Sequence, residues 1–101
     1  MENITITRHD GATGGEYRAA VPGSDEIGRL TYQRRGSAGG GNVLVADHTL
    51  VPSAIGGKGV AGKLVEALIA DARAACDKIV PQCSYVEAAF RRHPEWKDLR
   101  A

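Results

Sequence analysis

The segment that most restricts how this chain can fold is Ile55–Lys63, which reads Ile-Gly-Gly-Lys-Gly-Val-Ala-Gly-Lys. It follows Val43–Val51, the most apolar strand-like run of the chain, and it opens a different periodicity. Val60, Leu64, Leu68 and Ala72 recur four apart, with Ala61, Val65 and Ala75 on adjoining positions. That spacing predicts an amphipathic helix with a broad apolar stripe, leaving Lys63, Glu66, Asp71 and Arg73 to face water. The start of a helix carries unpaired amide donors and a partial positive charge. Glycines let an anion approach that backbone closely, which is why such junctions bind phosphate. Gly57, Gly59 and Gly62 therefore read as a cradle for the pyrophosphate of a nucleotide-containing cofactor, with Lys58 and Lys63 able to add charge.

The residues before the loop read as antiparallel strands. Ile4, Ile6 and Arg8 alternate with Thr5 and Thr7, the pattern of a half-buried strand. Asp10–Gly15 is a glycine-rich turn. Glu16–Val21 and Asp25–Arg34 are expected strands separated by Pro22-Gly23, and Ser37–Asn42 is a loop with three consecutive glycines. Short connections between consecutive strands favour a meander. Beyond the long helix, Asp77–Gln82 reads as a short strand that returns to the sheet parallel to its neighbour. A second helix is expected over Ser84–Arg92 with Ser84 as its N-cap, ended by His93-Pro94. The fold class predicted is α+β: a mostly antiparallel sheet followed by loop, helix, strand and helix.

A chain of 101 residues has the length of one domain. Thirteen basic and twelve acidic side chains balance to +1, which lacks the basic field of a nucleic-acid binder. No apolar stretch approaches the ~20 residues of a membrane span, and no basic start followed by an apolar run opens the chain. Cys76 and Cys83 are too few for a disulfide framework, and no ligand spacing for a metal is present. A soluble cytoplasmic protein with free thiols is the simplest reading, with neither nucleic acid nor membrane as partner.

Three motifs overlap at the loop. Gly57-x-Gly59-x-x-Gly62 matches the dinucleotide fingerprint, and Gly57–Lys63 matches most of a P-loop. A dinucleotide fold needs a parallel sheet and an acidic residue ending the next strand, where this chain has Gln82-Cys83. A P-loop needs Ser or Thr for magnesium, where this chain has Leu64. Read a third way, Val51-Pro52 … Gly57-x-Gly59-Val60-Ala61 resembles the coenzyme A loop of the GNAT superfamily of N-acetyltransferases. Asp47-His48-Thr49-x-Val51-Pro52, Pro81-x-Cys83-x-Tyr85 and Arg92-His93-Pro94-Glu95-Trp96 extend the resemblance over Val43–Leu99, closest to a small single-domain branch.

That resemblance implies one minimal GNAT-like domain over residues 1–101. It implies acetyl-CoA as co-substrate and an amine of unidentified nature as acceptor. It assigns the pyrophosphate to the loop, Gly56, Gly57, Lys58, Gly59, Val60, Ala61 and Gly62, and the pantetheine arm to the end of the preceding strand, Leu50 and Val51. Gly56 stands where the superfamily usually has Arg or Gln, and one pyrophosphate contact is lost with that side chain. Full-length members carry two helices between their first two strands, where this chain has only Asp10–Gly15. The acceptor side is then open to a bulky acceptor such as a protein amine.

Acetyl transfer to an amine requires that the amine lose a proton, the carbonyl oxygen be stabilised and the leaving thiolate gain a proton. Alternation places Asp47 and His48 on opposite faces, so at most one points into the slot. His48 suits a base near neutral pH, or is a hydrogen-bonded histidine near the sheet surface. Cys83, where a strand ends and a helix begins, has amides that favour its thiolate. It either accepts the acetyl group or positions groups for direct transfer, or else is a small buried residue. Tyr85 is the candidate acid for the departing thiolate, or an aromatic packing under the loop. The cluster Arg91, Arg92, His93 and Trp96 reads as structural, the alternative being that Arg92 or His93 touches the cofactor's phosphates. Two rival readings remain: a coenzyme A-binding module without catalysis, and a nucleotide-binding interaction protein.

Overall fold

The structure is a computed structural model that describes residues 3–36, 41–57 and 59–101. Four antiparallel strands, β1 (Thr5–Asp10), β2 (Gly14–Ala20), β3 (Ile27–Gly36) and β4 (Asn42–Leu50), form a meander. A 3₁₀ turn (Ser53–Ile55) and the glycine loop lead into α1 (Val60–Ala75). β5 (Lys78–Pro81) returns parallel to β4, then α2 (Ser84–Arg92) and a 3₁₀ segment (Pro94–Leu99) complete the chain. The sheet order is β1-β2-β3-β4-β5, the expected α+β architecture. None of the described helices is long and apolar enough to cross a membrane.

One face of the sheet holds the core. Tyr17 and Ala19 of β2, Leu30 and Tyr32 of β3, Leu44 and Ala46 of β4 and Ile79 of β5 join a single apolar cluster with both helices. From α1 the cluster takes Val60, Leu64, Val65, Leu68, Ile69 and Ala72, and from α2 Val86, Ala89 and Phe90. Ile69 was not among the expected stripe residues, whereas Ala75, which was, is exposed in the last turn. Of the alternate strand positions on the opposite, open face, Arg18, Arg29 and Gln33 are exposed, whereas Val45, opposite Gln33, is buried outside that cluster.

Several boundaries differ from the sequence reading for identifiable reasons. Gly14 and Gly15 are not turn residues but pair in β2, opposite Gln33 and Asp10 respectively. A Cβ on Gly14 would lie 2.3 Å from the Tyr32 carbonyl oxygen, and one on Gly15 2.4 Å from that of His9. These glycines allow close approach of neighbouring strands, so the connection shrinks to Gly11–Thr13. β3 begins at Ile27 because the Glu26 amide is held by Ser24 Oγ at 3.1 Å. It runs past Arg34 to Gly36, opposite Asn42. Of the expected loop at 37–42, residues 37–40 lie outside the described residues, and Asn42 starts β4. Asp77 and Gln82 fall outside β5. Cys76 closes α1 in a left-handed conformation, φ 58°, its amide donating to Ala72 and Arg73 carbonyls.

Asp71 does not simply face water. Its carboxylate accepts from Tyr17 Oη at 2.8 Å and from Arg8 Nη1 at 3.2 Å. Arg8 in turn lies over the rings of Tyr17 and Tyr32. Burial, reinforced by the bond to Asp71, pushes the Tyr17 hydroxyl well above its usual range and keeps it a donor. This ties the β1–β2 hairpin to α1.

Leu68 is fully buried at the centre of the α1 stripe. Leu68→Ala should lower unfolding stability by about 2–5 kcal/mol through lost transfer energy and a residual cavity. Lys63→Ala, which removes an exposed pair to Glu66 at 3.8 Å, should change it by less than about 1 kcal/mol. Urea denaturation of both variants measures the contrast.

Candidate active site

The site grows from the place where β4 and β5 part. Their parallel ladder runs from Val43/Lys78 to Ala46/Pro81 and stops. The Cys83 amide donates to the Ala46 carbonyl at 2.8 Å, closing the apex as the chain leaves for α2. β4 continues through Leu50 with no strand beside it on that edge. A notch opens there in the sheet, lined by unpaired strand backbone.

A bulge lies at the same level. Thr31 stands opposite His48 but Tyr32 opposite Ala46, which leaves Asp47 as an extra residue. Such a bulge bends the strand and re-aims its side chains. It overturns the expectation that Asp47 and His48 occupy opposite faces. The Asp47 carboxylate accepts from Thr31 Oγ1 at 2.6 Å and Gln33 Nε2 at 3.2 Å, both on the open face. His48, in register with Thr31, shares that face and is exposed. Thr49, in register with Leu30, falls on the helix face, and Leu50, in register with Arg29, returns to the open one. Leu50 is the one exposed large apolar side chain among the described residues, at 51%.

On the helix face Cys83 Sγ meets Thr49 Oγ1 at 3.5 Å. Cys83 itself, not Ser84, is the N-cap of α2, with φ −69° and ψ 136°. Its bond to Ala46 holds it extended, so the helix can begin only one residue later. Burial pushes the Cys83 thiol up, but hydrogen bonds from Thr49 and from the amides of Val86, Tyr85 and Thr49 outweigh burial, and the thiol sits below its ordinary value. Tyr85 packs against the core, its hydroxyl 3.9 Å from where a Cβ on Gly62 would stand. Thr49, Cys83, Tyr85 and the first turn of α1 therefore occupy one side of the notch, and Asp47, His48 and Leu50 the other.

The glycine loop supplies amides. Gly57 and Gly59 have φ of 73° and 77°, a region costly to residues with a Cβ, and open space surrounds the Cβ position of each. Among the described residues the first bond of α1 runs from Lys63 to the Gly59 carbonyl at 3.1 Å. Among the described residues the amides of Gly57, Gly59, Val60 and Ala61 have no acceptor. No side chain caps α1 and no acidic residue stands in its first turn. The Gly56 amide differs, donating to the Ser53 carbonyl at 3.1 Å within the preceding turn. Lys58, expected to add charge, lies outside the described residues. Val51 is half-buried against the core at the end of β4.

Other sequence candidates stay outside this constellation. His93 stacks on Trp96 with ring centroids 4.0 Å apart and pairs with Glu95 at 2.9 Å, and Trp96 packs edge-on to Phe90. Those contacts tie the last segment to α2. A cavity of about 290 Å³ lined by Arg73, Cys76, Asp77 and Lys78 lies at the far end of α1 from the loop. Among the described residues no three His, Cys, Asp or Glu are grouped to hold a metal ion. Thr49 had no role assigned from sequence, although it sits within the Asp47-His48-Thr49 motif; only the notch shows that it faces Cys83.

The fold and notch define a class: a sheet whose fourth and fifth strands diverge beside an uncapped helix preceded by glycines. A family model described as GCN5-related N-acetyl-transferase matches residues 16–99. The chain belongs to this family of N-acetyltransferases. The residues present also fit the nucleotide thioester that the family implies. The donor set at the start of α1 is all amide, no carboxylate opposes an anion there, and the unpaired β4 edge matches an amide-bearing arm.

Because Cys83 is held below the ordinary thiol range, its alkylation should have a pH midpoint below the usual value of about 8.5. Iodoacetamide rates across pH, measured in a Cys76→Ser background, test this. Thr49→Val removes a bond that favours the thiolate and should move the midpoint upward.

Proposed function

We propose that this domain binds acetyl-CoA and transfers its acetyl group to an amine. The observation that carries the reading is the glycine junction at the start of α1, where among the described residues the amides of Gly57, Gly59, Val60 and Ala61 have no acceptor and Tyr85 Oη lies 3.9 Å from where a Cβ on Gly62 would stand. In this reading the amides of Gly57, Gly59, Val60, Ala61 and Gly62 hold the pyrophosphate, with Gly56 and Lys58 contributing to the loop. Leu50 and Val51 offer strand backbone to the pantetheine arm. Acetyl-CoA supplies an activated acyl group.

The chain's own groups divide between the two sides. His48, exposed on the open face beside Asp47, takes the proton of the incoming amine. Tyr85 Oη, packed near the first turn of α1, returns a proton to the departing sulfur. Cys83, whose thiol is held below its ordinary value by hydrogen bonds with Thr49 and the α2 amides, is suited either to take the acetyl group as a thioester before the amine attacks, or to position groups for direct transfer.

A second reading, coenzyme A binding without catalysis, is favoured by one observation. Gly56 lacks the family's usual polar side chain, and its amide is already committed to Ser53. A charge-assisted contact of the missing kind contributes ~1.5–3 kcal/mol.

Titration of the amide spectrum with acetyl-CoA, NAD and ATP separates the alternatives. Selective movement of Gly57, Gly59, Val60, Ala61, Gly62, Val51 and Cys83 by acetyl-CoA is the expected result; movement by NAD or ATP alone would overturn the reading. Turnover on model amines then decides catalysis. His48→Ala should reduce kcat by about 10²-fold or more, the scale of a lost general base, while leaving the acetyl-CoA shifts in place. A transient acetyl mass on Cys83 in rapid quench marks the covalent route. Its absence, together with full turnover by Cys83→Ala, marks the direct one.

A further inference from the structure

The open face of the sheet carries a charge arrangement that the acetyl-transfer reading does not use. Strand register orders it into rows. Arg18, Arg29 and Leu50 lie side by side across β2, β3 and β4, and the next row holds Glu16, Thr31 and His48 with the bulged Asp47. Arg18 and Arg29 are directly opposite one another, and like charges in that relation repel. A single carboxylate holds them. Glu16 Oε2 accepts from Arg18 Nε and, at 3.0 Å, from Arg29 Nη1. Both arginine side chains remain 44% exposed. Arg35, on the same face of β3, has no acidic partner among the described residues. The face therefore holds excess positive charge one to two strands from the notch.

Asp47 lies at the notch itself. Two neutral donors, Thr31 and Gln33, orient its carboxylate, and among the described residues no cation pairs with it. A positive group arriving there meets negative charge, while the ground one or two strands away, at roughly 5 Å per strand, is positive. With both helices on the other side of the sheet and only Gly11–Thr13 joining β1 to β2, an extended chain can lie across this surface.

We propose that the acceptor is an acidic peptide segment, whose reactive amine enters beside Asp47 and His48 while carboxylates one to three residues away bind Arg18 and Arg29. An extended chain advances about 3.3–3.6 Å per residue, which matches the one-to-two-strand separation. Leu50, exposed between the two charged regions, offers the intervening residue an apolar contact. This inference rests on the acetyl-transfer reading and names its acceptor class.

The test uses short blocked peptides with one central lysine flanked by aspartates, by alanines or by arginines. The wild-type protein should acetylate the aspartate peptide with a kcat/KM about tenfold above the alanine peptide, a gap that narrows with salt as exposed charges are screened. In the double variant R18E/R29E the preference should reverse toward the arginine peptide. R18Q/R29Q, which introduces no new charge, should abolish the preference and serves if the first variant does not fold. Equal rates on all three peptides, or an unchanged ranking in the variants, would overturn the proposal. Peptide binding is read separately, by amide shifts without acetyl-CoA. If no peptide is acetylated but the aspartate peptide still moves Arg18, Arg29 and Thr31 more than the others do, the surface stands and the transfer reading fails. If it moves none of them, the surface proposal fails on its own.

Discussion

The hydrogen bond from the Cys83 amide to the Ala46 carbonyl is the constraint on which the site depends. It ends the β4–β5 ladder by taking the acceptor that a further β5 residue would use. It also holds Cys83 extended at the head of α2. One contact thus fixes where the notch begins, which residue caps the helix and which backbone amides surround the thiol. The lowered Cys83 titration follows from that placement: at the end of a strand and the start of a helix, burial is outweighed by donors that favour the thiolate.

The bulge at Asp47 is the second determinant, and it acts on the other side of the sheet. By adding one residue to β4 opposite β3, it sends Asp47 and His48 together to the open face and returns Thr49 to the helix face. Thr49 can then meet Cys83 while the acid and the histidine remain exposed. Without the bulge, alternation from Ala46 would carry Thr49 outward, away from Cys83. The notch therefore separates a side built from amides, hydroxyls and a thiol from a side that carries Asp47, His48 and Leu50. Packing makes this division possible, since α1 and α2 share one face and one apolar cluster.

Much of the architecture was legible because it depends on local patterns. The four-residue recurrence of Val60, Leu64, Leu68 and Ala72 located α1 and its buried stripe, and the returning run at Ile79 located the parallel strand. Glycine was ambiguous. Gly57 and Gly59 are where positive φ was needed, but Gly14 and Gly15 looked equally like a turn and are strand residues beneath neighbouring carbonyls. A glycine that permits curvature and one that permits close approach look alike until the partner strand is known. Asp71 was also misplaced, because its partner Arg8 belongs to the first strand and reaches it only through the folded sheet.

The sequence by itself determined the order of elements, the glycine junction ahead of α1 and membership of a recognisable family, since these follow from periodicity, backbone freedom and short motifs. The tertiary structure alone decided which side of the sheet each candidate residue occupies. Faces are counted by alternation from a register, and one bulged residue changes the count for everything after it. That register is set by pairing between Thr31, Tyr32 and their partners in β4, an interaction between distant segments that no local pattern encodes.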